Sequence, residues 1–403
     1  MLNPSLALLI SIVAILVILR LKVHTGFAVL AGGLILALLV LPWRSIPGMM
    51  LDTICEYQTI RLLVIIASAL TVSKLMEERG LLASLARTME RLTPKLAFHL
   101  VPAVIGFVPM PAGALVSATA VRDLVRKIGL DAPQSTFINY WFRHIWEYSI
   151  PVYPAIIAAG VLLEVPLSHL LAVMFPATLL AIACGAVASY RIMKDLPGSK
   201  GVVSKGMGWS FLKAAWPIIL LVILILAGVD AIIVYPAVLL LLIVQQRPHL
   251  PQLWRSFRYG LEPRILLFLY AVMLFKAVIE TAGAAEAILS VFQSIGLPVV
   301  ATLTLLPLII GLVTAHSVAF VGIAFPLLLP LIGTGAGLHS TALLLAYGSG
   351  MVGMMISPLH LCLVLSAEYF KARLVSVYRY LIGPALVVLA VLVLVFSIVY
   401  YII

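Results

Sequence analysis

Apolar segments long enough to cross a bilayer recur along the whole chain. They lie near 4–21, 24–43, 61–77, 137–163 and 167–190, and again near 211–229, 231–246, 264–282, 340–367 and 376–402. A hydrocarbon core takes roughly 20 apolar residues per helical crossing, so the pattern predicts ten spans. Composition agrees: of 403 residues, 64% are hydrophobic and 10% are charged. That is too little polar surface to coat a water-soluble domain of this size. The expected class is an all-α polytopic membrane protein with the lipid bilayer as its first partner; soluble enzymes, disordered chains and fibres are excluded. The stretch 6–19 lacks a basic flank and a small-residue cleavage site, and reads as a retained span rather than a signal peptide.

Two further apolar stretches are interrupted. Residues 96–121 hold Pro102, Pro109, Pro111 and Gly113, and residues 298–337 hold Pro307, Gly311, Gly322, Pro326, Pro330 and Gly333. Irregular backbone at membrane depth survives only where it is buried in protein or lines a cavity, so both stretches are expected to form re-entrant hairpins. The long polar stretch 192–210 divides the chain into a first repeat, 1–191, and a second, 211–403.

The two halves carry the same landmarks in the same order. Arg61 precedes Arg264 by 203 residues, and Glu77-x-x-Gly80 precedes Glu280-x-x-Gly283 by 203. Gly106 precedes Gly311 by 205, while Tyr140 and Pro151 precede Tyr347 and Pro358 by 207 each. A slowly growing offset is what two diverged copies with small insertions would leave. Five spans per copy is an odd number, so the second copy is expected to lie inverted.

Charge tests that arrangement. The net charge is +11, with 26 Lys and Arg. With hairpins returning to their side of entry, all but five of these 26 fall on one side. The exceptions are Arg44 and Arg61 opposite, and Lys74, Arg143 and Lys276 within spans or at their ends. The basic side is the cytoplasm, which places the protein in the cytoplasmic membrane with both termini external. No basic run is interleaved with exposed aromatics, so no nucleic-acid partner is expected. Cys55, Cys184 and Cys362 lie far apart with no C-x-x-C, and give neither a disulfide framework nor a zinc motif.

Inverted repeats with paired broken elements meeting near the midplane describe secondary transporters. Two stretches narrow the comparison: Gly106-Phe-Val-Pro-Met-Pro-Ala-Gly-Ala114, and Asn139-Tyr-Trp-Phe-Arg-His-Ile-Trp-Glu-Tyr148 followed by Pro151 and Pro154. In layout the chain resembles the ion-transporter superfamily, which includes dicarboxylate/sodium symporters, arsenite and sodium/proton carriers, and gluconate and lactate permeases. More closely it resembles a prokaryotic integral membrane family of about this length within that superfamily. The resemblance implies a scaffold half and a transport half per protomer, a homodimer and elevator-type movement. The Ser-Asn-Thr hairpin tips of the dicarboxylate symporters are replaced here by Pro109-Met110-Pro111-Ala112-Gly113 and Thr314-Ala315-His316-Ser317.

Arg143, His144 and Glu147 form the most informative cluster. On a continuous helix Arg143 and Glu147 stand at i, i+4 and would pair. An arginine near membrane depth costs roughly 2.5–3.5 kcal/mol on insertion scales. One reading is a guanidinium for an anionic substrate; the other has Arg143 snorkelling to the headgroups beside Trp141 and Trp146. Ser149-Ile-Pro-Val-Tyr-Pro154 and Ile356-Ser-Pro-Leu-His360 occupy equivalent places in the two halves. Proline frees helical carbonyls there, so Ser149, Tyr153, Ser357 and His360 are expected to reach a substrate, although proline also kinks ligand-free helices.

From the hairpin tips, Pro111, Gly113, Ser117, Thr314, His316 and Ser317 are expected at the same place; a coupling sodium is placed near Ser117 and Ser317. A coupling proton would use Glu147, His144, His316, His360 or Glu368, because burial and neighbours move such groups into range. Neither H-E-x-x-H nor G-x-S-x-G occurs (Tyr347-Gly-Ser-Gly350 does not qualify), so no enzyme and no resident cofactor are expected. The expected function is a secondary active transporter for a small organic anion, driven by protons or sodium. An ion channel or a membrane scaffold is the alternative.

Overall fold

The computed structural model describes residues 2–110, 113–194, 196 and 206–402. Pro111, at the first expected hairpin tip, and most of the linker 192–210 lie outside the described residues. Among the described residues all regular structure is helical. The first half contains α1 (Pro4–Arg20), α2 (Thr25–Val40), α3 (Ile46–Cys55), α4 (Tyr57–Glu78), α5 (Leu81–Met89), α6 (Pro94–Ile105), α7 (Gly113–Ala120), α8 (Arg122–Ile128), α9 (Ala132–His144), α10 (Pro154–Leu162) and α11 (Leu167–Met193). The second contains α12 (Met207–Leu226), α13 (Ala231–Gln246), α14 (Leu250–Gly260), α15 (Pro263–Ala282), α16 (Ala284–Ser294), α17 (Val299–Thr314), α18 (Ser317–Ile332), α19 (Ser340–Met355), α20 (Leu361–Phe370) and α21 (Leu374–Tyr401).

Helix boundaries follow local chemistry. Asn3 accepts from the Ser5 amide at 2.9 Å at the start of α1, where Pro4 needs no donor. Asp131 and Gln134 close a capping box that starts α9. Gly80 and Gly283, at φ +69° and +58°, make the left-handed steps that join α4 to α5 and α15 to α16.

Among the described residues, five stretches are long and apolar enough to cross a membrane: α4, α11, α12, α14 with α15, and α21. The chain is therefore a multi-pass membrane protein. Of the most apolar part of α4, 61% is buried inside the molecule, against 22% of α21. α4 is interior, and α21 offers its apolar surface outward, as lipid requires. The ten expected spans are not ten continuous helices. α1, α2 and α13 are apolar but have 17, 16 and 16 residues. The expected spans 137–163 and 340–367 are each broken, between α9 and α10 and between α19 and α20. Pro151 and Pro154 in one and Pro358 in the other remove the amides that would continue the ladder.

Packing is reciprocal between the halves. α2 packs on α15 and α13 on α4; α1 packs on α16 and α12 on α5. α10 packs on α18 and α20 on α7, and α11 packs on α19 and α21 on α9. The same reciprocity holds for side chains. The Tyr140 hydroxyl donates to the Met355 carbonyl at 2.9 Å, and the Tyr347 hydroxyl donates to the Glu147 carbonyl at 2.8 Å. Each tyrosine thus satisfies a carbonyl freed at the other half's break. Tyr140→Phe and Tyr347→Phe are each expected to cost about 1–3 kcal/mol, because a buried carbonyl is left unpaired. Thermal unfolding in detergent checks this; wild-type midpoints in both variants would show that the bonds contribute nothing.

Candidate functional site

The breaks and the hairpins enclose a cavity of about 620 Å³. Its wall takes Arg143 and Glu147 from the end of α9 and the turn after it, and Tyr153 from the first break. His360 and Cys362 come from the second break, and His316 and Ser317 from the tip between α17 and α18. These side chains come from distant parts of the sequence. They converge because α10 packs against α18 and α20 against α7, bringing each break beside the other half's hairpin.

Arg143 is 2% exposed. Among the described residues its Nη2 reaches only the Met110 carbonyl, at 3.5 Å, and its Nε has no hydrogen-bond partner. Among the described residues no carboxylate oxygen lies within 4.0 Å of the guanidinium. The buried Lys276 is a contrast: it holds Glu164 at 2.9 Å and Glu280 at 3.6 Å. The guanidinium lies against Gly113, where any side chain would overlap it.

The expected Arg143–Glu147 pair is not formed. α9 tightens after His144 into a 3-10 turn, Ile145–Tyr148. In that geometry residue i+3, not i+4, stands over residue i. Glu147 Oε1 consequently sits 3.7 Å from His144 Nε2. Arg143 is left facing the cavity.

His144 lies behind the wall. Its Nδ1 is 2.6 Å from the Tyr140 carbonyl and its Nε2 is 3.2 Å from His360 Nε2. His360 Nδ1 is 2.9 Å from the Ala315 carbonyl, so this ring ties the second break to the second hairpin tip. Tyr153 does the same for the first hairpin, donating to the Gly106 carbonyl.

Other expected contributors point elsewhere. The Ser149 hydroxyl is held by Thr178 at 2.7 Å, on α11. The hydroxyls of Ser117, Thr314 and Ser357 donate to the carbonyls of Ala114, Ile310 and Leu312. None of these four lines the cavity, because in an apolar interior a hydroxyl takes the nearest free carbonyl. Of the two serines, Ser317 lines the cavity and Ser117 does not. The structure adds wall residues absent from the sequence expectation: His24, Tyr259, Glu262, Arg264 and Cys362. For Cys362 the signal was its place two residues after His360, just past Pro358.

Comparisons with known proteins agree with this architecture. A crystal structure of the YdaH transporter of Alcanivorax borkumensis, described as having an unusual topology, superposes with a TM-score of 0.61 at 14% identity, over 88% of each chain. At that identity the likeness is one of fold. No curated protein matches the chain. A family model described as "Protein of unknown function (DUF401)" matches residues 3–403, and the chain belongs to that family.

Proposed function

We propose that the chain is a secondary active transporter that moves a small organic anion, a carboxylate or sugar acid, across the cytoplasmic membrane, driven by a proton or sodium gradient. One observation carries this reading: a buried guanidinium with no carboxylate partner among the described residues lines a cavity between two helix breaks. A charge at such depth is costly unless a ligand or partner meets it, and a planar two-pronged donor suits a carboxylate. The fold likeness to a transporter supports the class. The reciprocal packing supports two inverted copies, each with a re-entrant hairpin, near 96–121 and 298–337. A homodimer and elevator movement follow from the resemblance to the ion-transporter superfamily.

Uptake by the full chain in liposomes, with labelled mono- and dicarboxylates and sugar acids under imposed proton or sodium gradients, tests the proposal. Saturable, gradient-dependent flux is expected. Ohmic current would make the protein a channel, and neither flux nor current would favour a scaffold. The inverted arrangement has a separate test. Reporter fusions at Asp195 and after Ile403 are expected to report cytoplasmic and external locations respectively; the same side for both would refute it.

A further inference from the structure

Three electron-pair donors meet where the two breaks touch. Backbone carbonyls only accept, so the Tyr140 and Ala315 carbonyls require N–H at Nδ1 of both His144 and His360. In the neutral rings both Nε2 atoms then carry lone pairs, and these face each other at 3.2 Å. The rings are crossed at 75° with centroids 5.1 Å apart. Cys362 Sγ joins them, one ligand atom from each of the three residues lying within 4.8 Å of the others. The thiol supplies one proton for three lone-pair centres. Two imidazole nitrogens on a tetrahedral zinc, each at 2.0–2.1 Å, stand about 3.3 Å apart, and the observed separation needs almost no adjustment. Ligating histidines characteristically give their other N–H to a backbone carbonyl, as both do here.

We propose that His144, His360 and Cys362 bind a zinc-class cation, with the Glu147 carboxylate, 3.7 Å from His144 Nε2, as fourth ligand. Two neutral imidazoles, a thiolate and a carboxylate balance a divalent charge in a site that water scarcely reaches. The ion lies in the cavity wall behind Arg143, which keeps its own charge for an anion. It also clamps the two halves together, because His144 and Glu147 belong to the first break and His360 and Cys362 to the second. The two histidines stand 216 apart in sequence, so no compact spacing motif announces the site.

Cobalt(II) is the probe, added to the tag-free full chain in detergent without any anionic solute. The expected result is one equivalent of tetrahedral cobalt, seen as intense visible d–d absorption with a near-ultraviolet thiolate charge-transfer band, both bleached by zinc. Cys362→Ser is expected to remove the charge-transfer band, and His360→Gln to weaken binding at least tenfold. Gel filtration establishes that each variant is folded. A wild-type spectrum of octahedral aqueous cobalt would overturn the site, as would a tetrahedral spectrum unchanged in both variants. The readout involves no transport, so it fails or succeeds independently of the anion reading.

Discussion

Arg143→Ala is expected to abolish anion binding while leaving a folded, membrane-inserted protein. In wild type, a ligand at 100 times its dissociation constant stabilises the native state by about 2.7 kcal/mol, a shift easily read in a thermal screen. Truncating one partner of a buried charge pair costs about 2–5 kcal/mol. That weakens binding roughly 30- to several-thousandfold, and the ligand-induced shift vanishes at the same concentration. The unliganded variant should not lose stability by the same route, because among the described residues the guanidinium reaches only the Met110 carbonyl and its Nε is unpaired. Each shift is therefore read against the variant's own baseline. Arg143→Lys keeps the charge without the planar fork and is expected to fall between the two. The panel is small mono- and dicarboxylates, sugar acids and inorganic oxyanions, with and without sodium, at two pH values. Normal binding by Arg143→Ala would remove the anchor. A flat screen with folded wild type would move cations and neutral solutes ahead of organic anions.

Gly106→Ala and Gly311→Ala are expected to be strongly destabilising small substitutions in the broken elements. An alanine Cβ at Gly106 would overlap the Arg143 carbonyl, and at Gly311 the Gly350 carbonyl. Neither obstacle is a side chain that can rotate away, so relief requires moving a hairpin off a helix. Overpacking of this kind costs typically 1–3 kcal/mol and occasionally more. Gly48→Ala, on α3, is the control, because an added Cβ there would meet nothing within 4 Å; it is expected to stay within about 0.5 kcal/mol. Unfolding midpoints of the three variants decide the matter, and equal midpoints would show that the hairpins are loosely held. Gly106→Ala should also weaken anion binding, since the displaced carbonyl is that of Arg143 itself.

The paired contacts of Gly106 and Gly311 show how much of the architecture was legible beforehand. Their offset, with those of Tyr140 and Pro151 from Tyr347 and Pro358, marks equivalent places, and those places make equivalent contacts. The legible features are local: prolines that interrupt an apolar run, glycines where backbones must touch, and charges too costly to leave in lipid. Such features act through the chain's own covalent geometry or through its solvent, so neighbours in space are not needed to see them. Arg143, Glu147, Tyr153, His316, Ser317 and His360 could be singled out on those grounds, and they line one cavity.

Direction and pairing were another matter. Whether Ser149 faced a solute or Thr178 depended on where α11 lies. The loss of the Arg143–Glu147 pair depended on a single turn tightening to 3-10 geometry, a change of roughly 20° per residue. Cys362 looked inert until the second break brought it beside His144. Chemistry local to the chain was enough to settle the solvent, the helical class and the positions of the breaks, because these follow from burial free energy and backbone hydrogen bonding along the chain. Which lone pairs and charges meet was left to the packing of the helices, because hydrogen bonds and metal ligation depend on ångström-scale distances between residues more than 200 positions apart.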